Sequence, residues 1–256
     1  MNPVYHQHFS TLTLDTLKQK GFLKDRLDYK YTLSADLLPQ IFQACLPHYD
    51  LLQIGHPTVF TYYTWYFDTR DRLSFVHHHQ GKSNRYKLRF RHYLESEMSY
   101  LEFKLKNNKG RTHKERIKVE GDPAQFRLAD YKAVLWSQFG LNTDDFSLSL
   151  MVRYFRSTLL HKTLPEKVTL DWGLHFEHEG AAKDFERIAI AEVKTPQASS
   201  PAFQQIMRSF RIREGGLSKY CLGIIALYPN VKHNQFKADY KKIIQLPQTP
   251  VHAVVS

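Results

Sequence analysis

Hydrophobic and polar positions alternate most regularly between residues 84 and 119. In Asn84-Arg85-Tyr86-Lys87-Leu88-Arg89-Phe90-Arg91, extended backbone puts Arg85, Lys87, Arg89 and Arg91 on one side. Tyr86, Leu88 and Phe90 fall on the other, because successive strand side chains point to opposite faces. Tyr100 to Lys106 repeats the arrangement, with Glu102, Lys104 and Lys106 opposing Leu101, Phe103 and Leu105. Arg111 to Val119 does so again, with Lys114, Arg116 and Lys118 opposing Ile117 and Val119. The pattern predicts three successive strands, each with one apolar and one cationic face.

The rest of the chain reads as mixed strand and helix. Leu27 to Thr32 is a first strand carrying Asp28 and Lys30. Ser34 can cap a helix to Leu46, with Leu37, Leu38, Ile41, Phe42 and Cys45 at helical spacing. Thr58 to Asp68 is strongly β-prone, and Asp71 to Gln80 is a short helix. Pro123 to Phe139 reads as a longer helix with Phe126, Leu128, Tyr131, Val134 and Leu135 as its core. Strands follow at Met151–Arg156, Lys167–Leu174 and Arg187–Lys194, and helices at Ser199–Phe210 and Ser218–Leu227. Beyond Asn230 the chain turns polar and carries Pro247 and Pro250, as a loosely held tail would. There is no internal repeat and no Gly/Ser linker. The expected fold is a single α+β domain whose antiparallel strands can close into a barrel with helices outside.

Composition sharpens the picture at two points. A hydrophobic fraction of 42% and an aromatic fraction of 14% supply a core and exclude wholesale disorder. The net charge of +11 is uneven: Lys82 to Lys118 holds twelve Lys and Arg against four Glu, a net +8. Charge gathered on one sheet face points to a built site for a polyanion, which leaves nucleic acid, an anionic membrane surface or a phosphate-rich small molecule. Cys45 and Cys221 both sit among apolar neighbours and read as buried free thiols, as in a reducing compartment. The first residues lack a signal-peptide pattern, and no apolar run approaches the roughly 18 residues of a membrane span. The expectation is a soluble, cytoplasmic protein.

Three cationic strands in succession need an explanation beyond a solvated surface. If helices cover the apolar side and the sheet curls, the cationic side lines a cavity. Such a cavity must be wet, partly neutralised by carboxylates, and used by anions. Guanidinium forks suit phosphate oxygens, and a narrow cavity suits a thin polyphosphate better than a broad duplex. His77-His78-His79 is a poor metal cluster, because adjacent helical residues point about 100° apart. Trp65, Tyr66 and Phe67 read as core before base-stacking platform.

The residues also resemble a known family. Tyr29-Lys30-Tyr31, Tyr66-Phe67-Asp68-Thr69, Gly81-Lys82-Ser83-Asn84-Arg85-Tyr86-Lys87-Leu88-Arg89-Phe90-Arg91 and Leu101-Glu102-Phe103-Lys104 follow the order seen in VTC domains. Lys114-Glu115-Arg116-Ile117, Ala191-Glu192-Val193-Lys194 and Ser218-Lys219-Tyr220 continue it. VTC domains are the polyphosphate-polymerase domains of the vacuolar transporter chaperone complex, within the triphosphate tunnel metalloenzymes that also hold the CYTH-type triphosphatases. The resemblance covers roughly residues 25–228, leaving an N-terminal segment at 1–24 and a tail at 229–256.

The resemblance implies an eight-stranded antiparallel β-barrel forming a tunnel, with helices packed outside. ATP would donate its γ-phosphate to inorganic polyphosphate with Mn²⁺ or Mg²⁺. It implies Arg89, Arg91, Lys104 and Lys114 as the catalytic cations. Lys30, Arg85, Lys87, Arg156, Lys167, Ser218 and Lys219 would bind substrate, and Glu192, with Glu102 or Asp171, the metal. Two departures stand out. Lys167-Val168-Thr169-Leu170-Asp171 has Lys where the family often has Arg, which keeps the charge but loses the bidentate fork. Arg26-Leu27-Asp28-Tyr29-Lys30 retains only one acid and the lysine of the CYTH Glu-x-Glu-x-Lys signature, which counts against a plain triphosphatase. The alternatives are a tunnel-family triphosphatase or polyphosphatase and a non-catalytic polyphosphate binder, with nucleic acid the weaker partner. No phosphate-sensing SPX domain or membrane anchor is recognised in the sequence, so any membrane or regulatory partner is unidentified.

Overall fold

The structure, a computed structural model, describes residues 3–20, 26–106, 108, 112–196 and 201–246. Arg111 and Ser199, which the sequence reading placed in a strand and a helix, lie outside the described residues. Among the described residues ten strands build one sheet: β1 (Thr11–Leu12), β2 (Arg26–Ser34), β3 (Tyr49–Leu52), β4 (Phe60–Thr69), β5 (Arg85–Tyr93), β6 (Met98–Lys106), β7 (Thr112–Val119), β8 (Phe146–His161), β9 (Lys167–His178) and β10 (Ala181–Pro196). Helices are α1 (Leu14–Lys20), α2 (Leu38–Cys45), α3 (Leu73–His79), α4 (Lys132–Phe139), α5 (Ala202–Ser209), α6 (Lys219–Leu227) and α7 (Lys237–Ile244).

The main path runs β2-β10-β9-β8-β4-β5-β6-β7, antiparallel throughout, with β3 added beside β8 and β1 parallel to β3. No ladder joins β2 to β7 among the described residues, so the sheet is strongly curved but open. That differs from the closed eight-stranded barrel expected from the sequence. Both edges carry cations on the concave side, Lys30 on β2 and Lys114, Arg116 and Lys118 on β7. The curvature still carries Lys104 of β6 within electrostatic reach of Asp28 and Lys30 of β2.

Two core clusters cover the convex face. Tyr31, Leu33, Leu159, Val168, Leu170, Ala191 and Val193 pack under α2 and α5. Leu88, Phe90, Leu101 and Phe103 pack with Leu128 and Leu135. The predicted Pro123–Phe139 helix breaks into two short 3-10 turns and α4. In the first, Ala124 N–H donates to Asp122 Oδ1.

A third cluster lies on the concave side, contrary to the expectation that helices pack only outside. There α3, α6 and α7 pack on Tyr66, Leu150, Leu174, Phe176, Ile188 and Ile190. The reason is legible in α6, whose Cys221-Leu222-Gly223-Ile224-Ile225 run has no polar face and must be buried all round. Gly223 permits the close approach, since a Cβ there would sit 2.5 Å from Leu150 and 2.6 Å from Phe176.

Strands β8, β9 and β10 run well beyond their predicted spans because irregularities hide their periodicity; in β10 the register shifts between Phe185 and Ala189. A register shift between Arg153 and Phe155 interrupts the alternation of β8. In β9, Gly173 adopts φ +62, and a Cβ there would fall 2.7 Å from the Phe155 ring. Part of the expected tail is also structured. Phe236, Tyr240, Ile243 and Leu246 form an apolar stripe along α7 and its flanks, and Ile243 is buried. Residues 247–256 lie outside the described residues.

Candidate active site

Strand register assembles one continuous charged face. Arg89 stands opposite Glu102, Lys87 opposite Lys104 and Arg85 opposite Lys106 across β5 and β6. Across β6 and β7, Glu102 faces Arg116 and Lys104 faces Lys114. On the other side of β5, Tyr62, Thr64 and Tyr66 of β4 face Tyr93, Arg91 and Arg89. Tyr154 of β8 faces Tyr62, and Arg156 faces Asp171 of β9. Glu192 of β10 lies between Thr169 and Lys30, and Lys194 between Lys167 and Asp28. Period-two alternation thus turns eight strands into a single concave trough.

Buried carboxylates clamp the cations at its centre. Glu102 is 3% exposed and pairs with Arg89 at 2.6 Å, Lys114 at 3.2 Å, Arg116 at 3.5 Å and Arg91 at 3.6 Å. Burial alone would raise the Glu102 pKa, but these four cations hold it well below the usual carboxylate range. Asp171 accepts both Nε and Nη2 of Arg156, at 2.5 and 2.7 Å, and is also bound by Lys219. Its pKa is lowered by Arg156 and Lys219 against the effect of burial. Arg91 Nε donates to Thr64 Oγ1 at 3.1 Å, so this guanidinium is fixed from two sides.

Beside this neutralised centre, Lys30, Lys87 and Lys104 converge from β2, β5 and β6. Among the described residues none of the three has a carboxylate within ion-pair distance. Lys104 opens onto the trough, yet enclosure by its walls and the nearby Lys87 and Lys30 bring its pKa down to about 8, even with Asp28 and Glu192 nearby. Burial, Lys30 and Arg89 likewise lower Lys87. Crowded like charges of this kind favour an incoming anion.

Helix α6 contributes from the concave side. Ser218 Oγ accepts from Cys221 N–H and caps it, so Ser218 shapes the helix start. Lys219, the first residue of the helix, reaches Asp171. The helix is tied down by Tyr220, which donates to the buried Asp68, while Asp68 also accepts Ser74 N–H at 3.0 Å and Phe75 N–H at 3.2 Å of α3. His78 Nδ1 lies 3.1 Å from Cys221 Sγ. Burial together with Lys87, Arg85, Lys30 and Lys106 depresses the His78 pKa to about 3, so the ring is neutral.

Every residue proposed from the sequence lies on this face or at the start of α6, and the three carboxylates fall into three separate groups. Among the described residues, no three His, Cys, Asp or Glu are arranged to hold a metal ion. A Mg²⁺-type ion needs only one or two carboxylates when phosphates and water supply the remaining oxygens. Glu192 fits that demand, being a quarter exposed with Lys194 as its one ion-pair partner among the described residues. Glu102 and Asp171 already hold four and two cations. The sequence reading missed Arg116 as the fourth cation on Glu102, although its place in the alternating pattern was visible. It also missed Asp68 as the anchor of α6, which no local pattern signals.

The sequence matches the family model of the VTC domain over residues 25–228. In structure the chain is similar to a candidate adenylate cyclase from Bacillus halodurans, with a TM-score of 0.52 and 14% identity, over 80% of this chain and 97% of that one. At that identity the likeness is one of fold. A candidate adenylyl cyclase from Hippeastrum, described as having a dominant triphosphatase activity, aligns with a TM-score of 0.47 and 16% identity over 81% and 99% of the two chains. No curated protein matches the chain. No helix among the described residues is long and apolar enough to cross a membrane.

Proposed function

The chain belongs to the VTC-domain family, and from that premise we propose that it is a polyphosphate polymerase, moving the γ-phosphate of ATP onto the end of an inorganic polyphosphate chain. The observation that carries this reading is the pairing of two zones in one trough. Arg89, Arg91, Arg156 and Lys219 are held by Glu102 and Asp171, while Lys30, Lys87 and Lys104 crowd together with no carboxylate at ion-pair distance among the described residues. A clamped zone suits the phosphate being transferred. A crowded lysine zone suits a second polyanion that must approach it. On this reading the curved sheet works as a tunnel in use.

Phosphoryl transfer between phosphates asks for positioning and charge neutralisation. A terminal oxygen of the acceptor attacks the γ-phosphorus, and the bond to the β–γ bridging oxygen breaks, releasing ADP. The acceptor oxygen is anionic, so no general base is needed. Arg89 and Arg91 orient the γ-phosphate, Arg156 and Lys219 offset charge on the leaving oxygen, and Lys104, with Lys114 beside it, offsets repulsion between the two polyanions. Arg85 and Lys167 extend the cationic path at its ends. We assign the divalent ion, Mn²⁺ or Mg²⁺, to Glu192 together with phosphate oxygens; when bound it neutralises phosphate charge. Glu102 and Asp171 act as wall residues that hold the cations.

The test is turnover of ATP with Mn²⁺ or Mg²⁺ by the wild-type protein and by Arg89→Ala. The wild type should give ADP and long-chain polyphosphate, and Arg89→Ala should lose about a hundredfold or more in rate. Formation of ADP and free phosphate alone would support the triphosphatase reading. Tight tripolyphosphate binding without turnover would support a binding protein.

A further inference from the structure

The chemistry of the trough changes along β5, where the residues on its face run Tyr93, Arg91, Arg89, Lys87, Arg85. At one end stand Lys30, Lys87 and Lys104, with no carboxylate at ion-pair distance among the described residues. At the other, four neighbouring strands bring Tyr62, Tyr93, Tyr100 and Arg116 together. Arg116 Nη2 donates to Tyr93 Oη at 2.7 Å, and its guanidinium lies 3.5 Å from the centre of the Tyr100 ring. Glu102 Oε1 is 3.5 Å from Arg116 Nε. Tyr62 stands 4.7 Å from Tyr93 and stacks on Tyr154 at 5.1 Å. Three partners therefore hold the Arg116 plane, while its side chain remains 40% exposed.

An aromatic-and-guanidinium surface at one end and a crowd of lysines at the other match the polarity of a nucleoside triphosphate facing a polyphosphate. Stacking on tyrosine and arginine planes is open to any nucleobase, because every base has a π-face. A lysine, by contrast, offers charge without a plane.

We propose that the Tyr93–Tyr100–Arg116 end of the trough is the nucleoside subsite, where the donor's base extends the Tyr100–Arg116 stack. Its triphosphate then runs past Arg91 and Arg89, and the acceptor chain occupies the Lys30–Lys87–Lys104 end. Donor and acceptor enter from opposite ends, so the growing chain leaves by the lysine end and never passes the base. This assignment rests on the reading that the donor is a nucleoside triphosphate.

Calorimetric titration with ATP and with inorganic tripolyphosphate tests it, using the wild type, Tyr100→Ala and Arg116→Lys. Each variant should weaken ATP binding by about tenfold. Tripolyphosphate affinity should stay within about twofold, since neither change removes a charge, and that also reports an intact fold. Equal weakening of both ligands, or unchanged ATP affinity, would overturn the assignment. So would a wild-type protein that binds tripolyphosphate but not ATP. The readout is binding, so the two readings fail separately. ATP binding that depends on Tyr100 without polymer formation contradicts the polymerase, and polymer formation with Tyr100-independent ATP binding contradicts the subsite.

Discussion

Lys104 shows how a single residue trades stability for binding. It faces Lys87 on β5, Lys114 on β7, Asp28 and Lys30 on β2 and Glu192 on β10, and its pKa falls from the ordinary 10.5 to about 8. The unfolded chain therefore holds this proton more tightly than the folded one. The destabilisation is fully present below pH 8 and fades as pH rises towards the ordinary value. Anion binding has the opposite need, because it favours the protonated amine. Tripolyphosphate affinity should hold up to about pH 8 and decline above it, and Lys104→Met should flatten that profile when titrated calorimetrically. The same variant should raise the melting temperature of the ligand-free protein at pH 7 while weakening tripolyphosphate. A merely solvated lysine would move neither. Glu102 is the converse case. Glu102→Gln leaves four cations facing one another and should cost about 3 kcal/mol or more in denaturant unfolding, with tripolyphosphate restoring part of the loss. The cations of β5, β6 and β7 were legible from period-two spacing, and so was Glu102 on the same face. The pairing of Arg156 with Asp171 was not, because the two meet only through the register of β8 on β9.

At the scale of elements, α6 joins packing to the site. Gly223→Ala would push the helix off Leu150 and Phe176, costing about 1–3 kcal/mol and moving Lys219 away from Asp171. Ser218→Ala removes the cap and should cost about 1 kcal/mol. Tripolyphosphate titration separates the two, since Gly223→Ala should also weaken binding beyond the loss expected from stability. The existence and capping of α6 could be read from its sequence. Its position could not, because an all-apolar helix announces burial without saying which face of a sheet receives it. The long β8 and β9 were shortened in the sequence reading for a related reason: a register shift and the bend at Gly173 each reverse the alternation that marks a strand.

For the whole molecule, the sequence predicted an inward cationic face because three strands repeated one pattern. It could not predict that no ladder joins β2 to β7 among the described residues, which depends on contacts between residues far apart in the chain. The trough's charge should make tripolyphosphate affinity fall as salt rises, with exposed Lys82 and Lys118 screened before the enclosed arginines. The central claim is that phosphate leaving ATP is received by another phosphate and not by water. Incubation with γ-labelled ATP and Mn²⁺, followed by separation of polymer from orthophosphate, tests that claim most directly. The account predicts ADP with most of the label in long-chain polyphosphate; label appearing only as orthophosphate, or remaining on ATP, would contradict it.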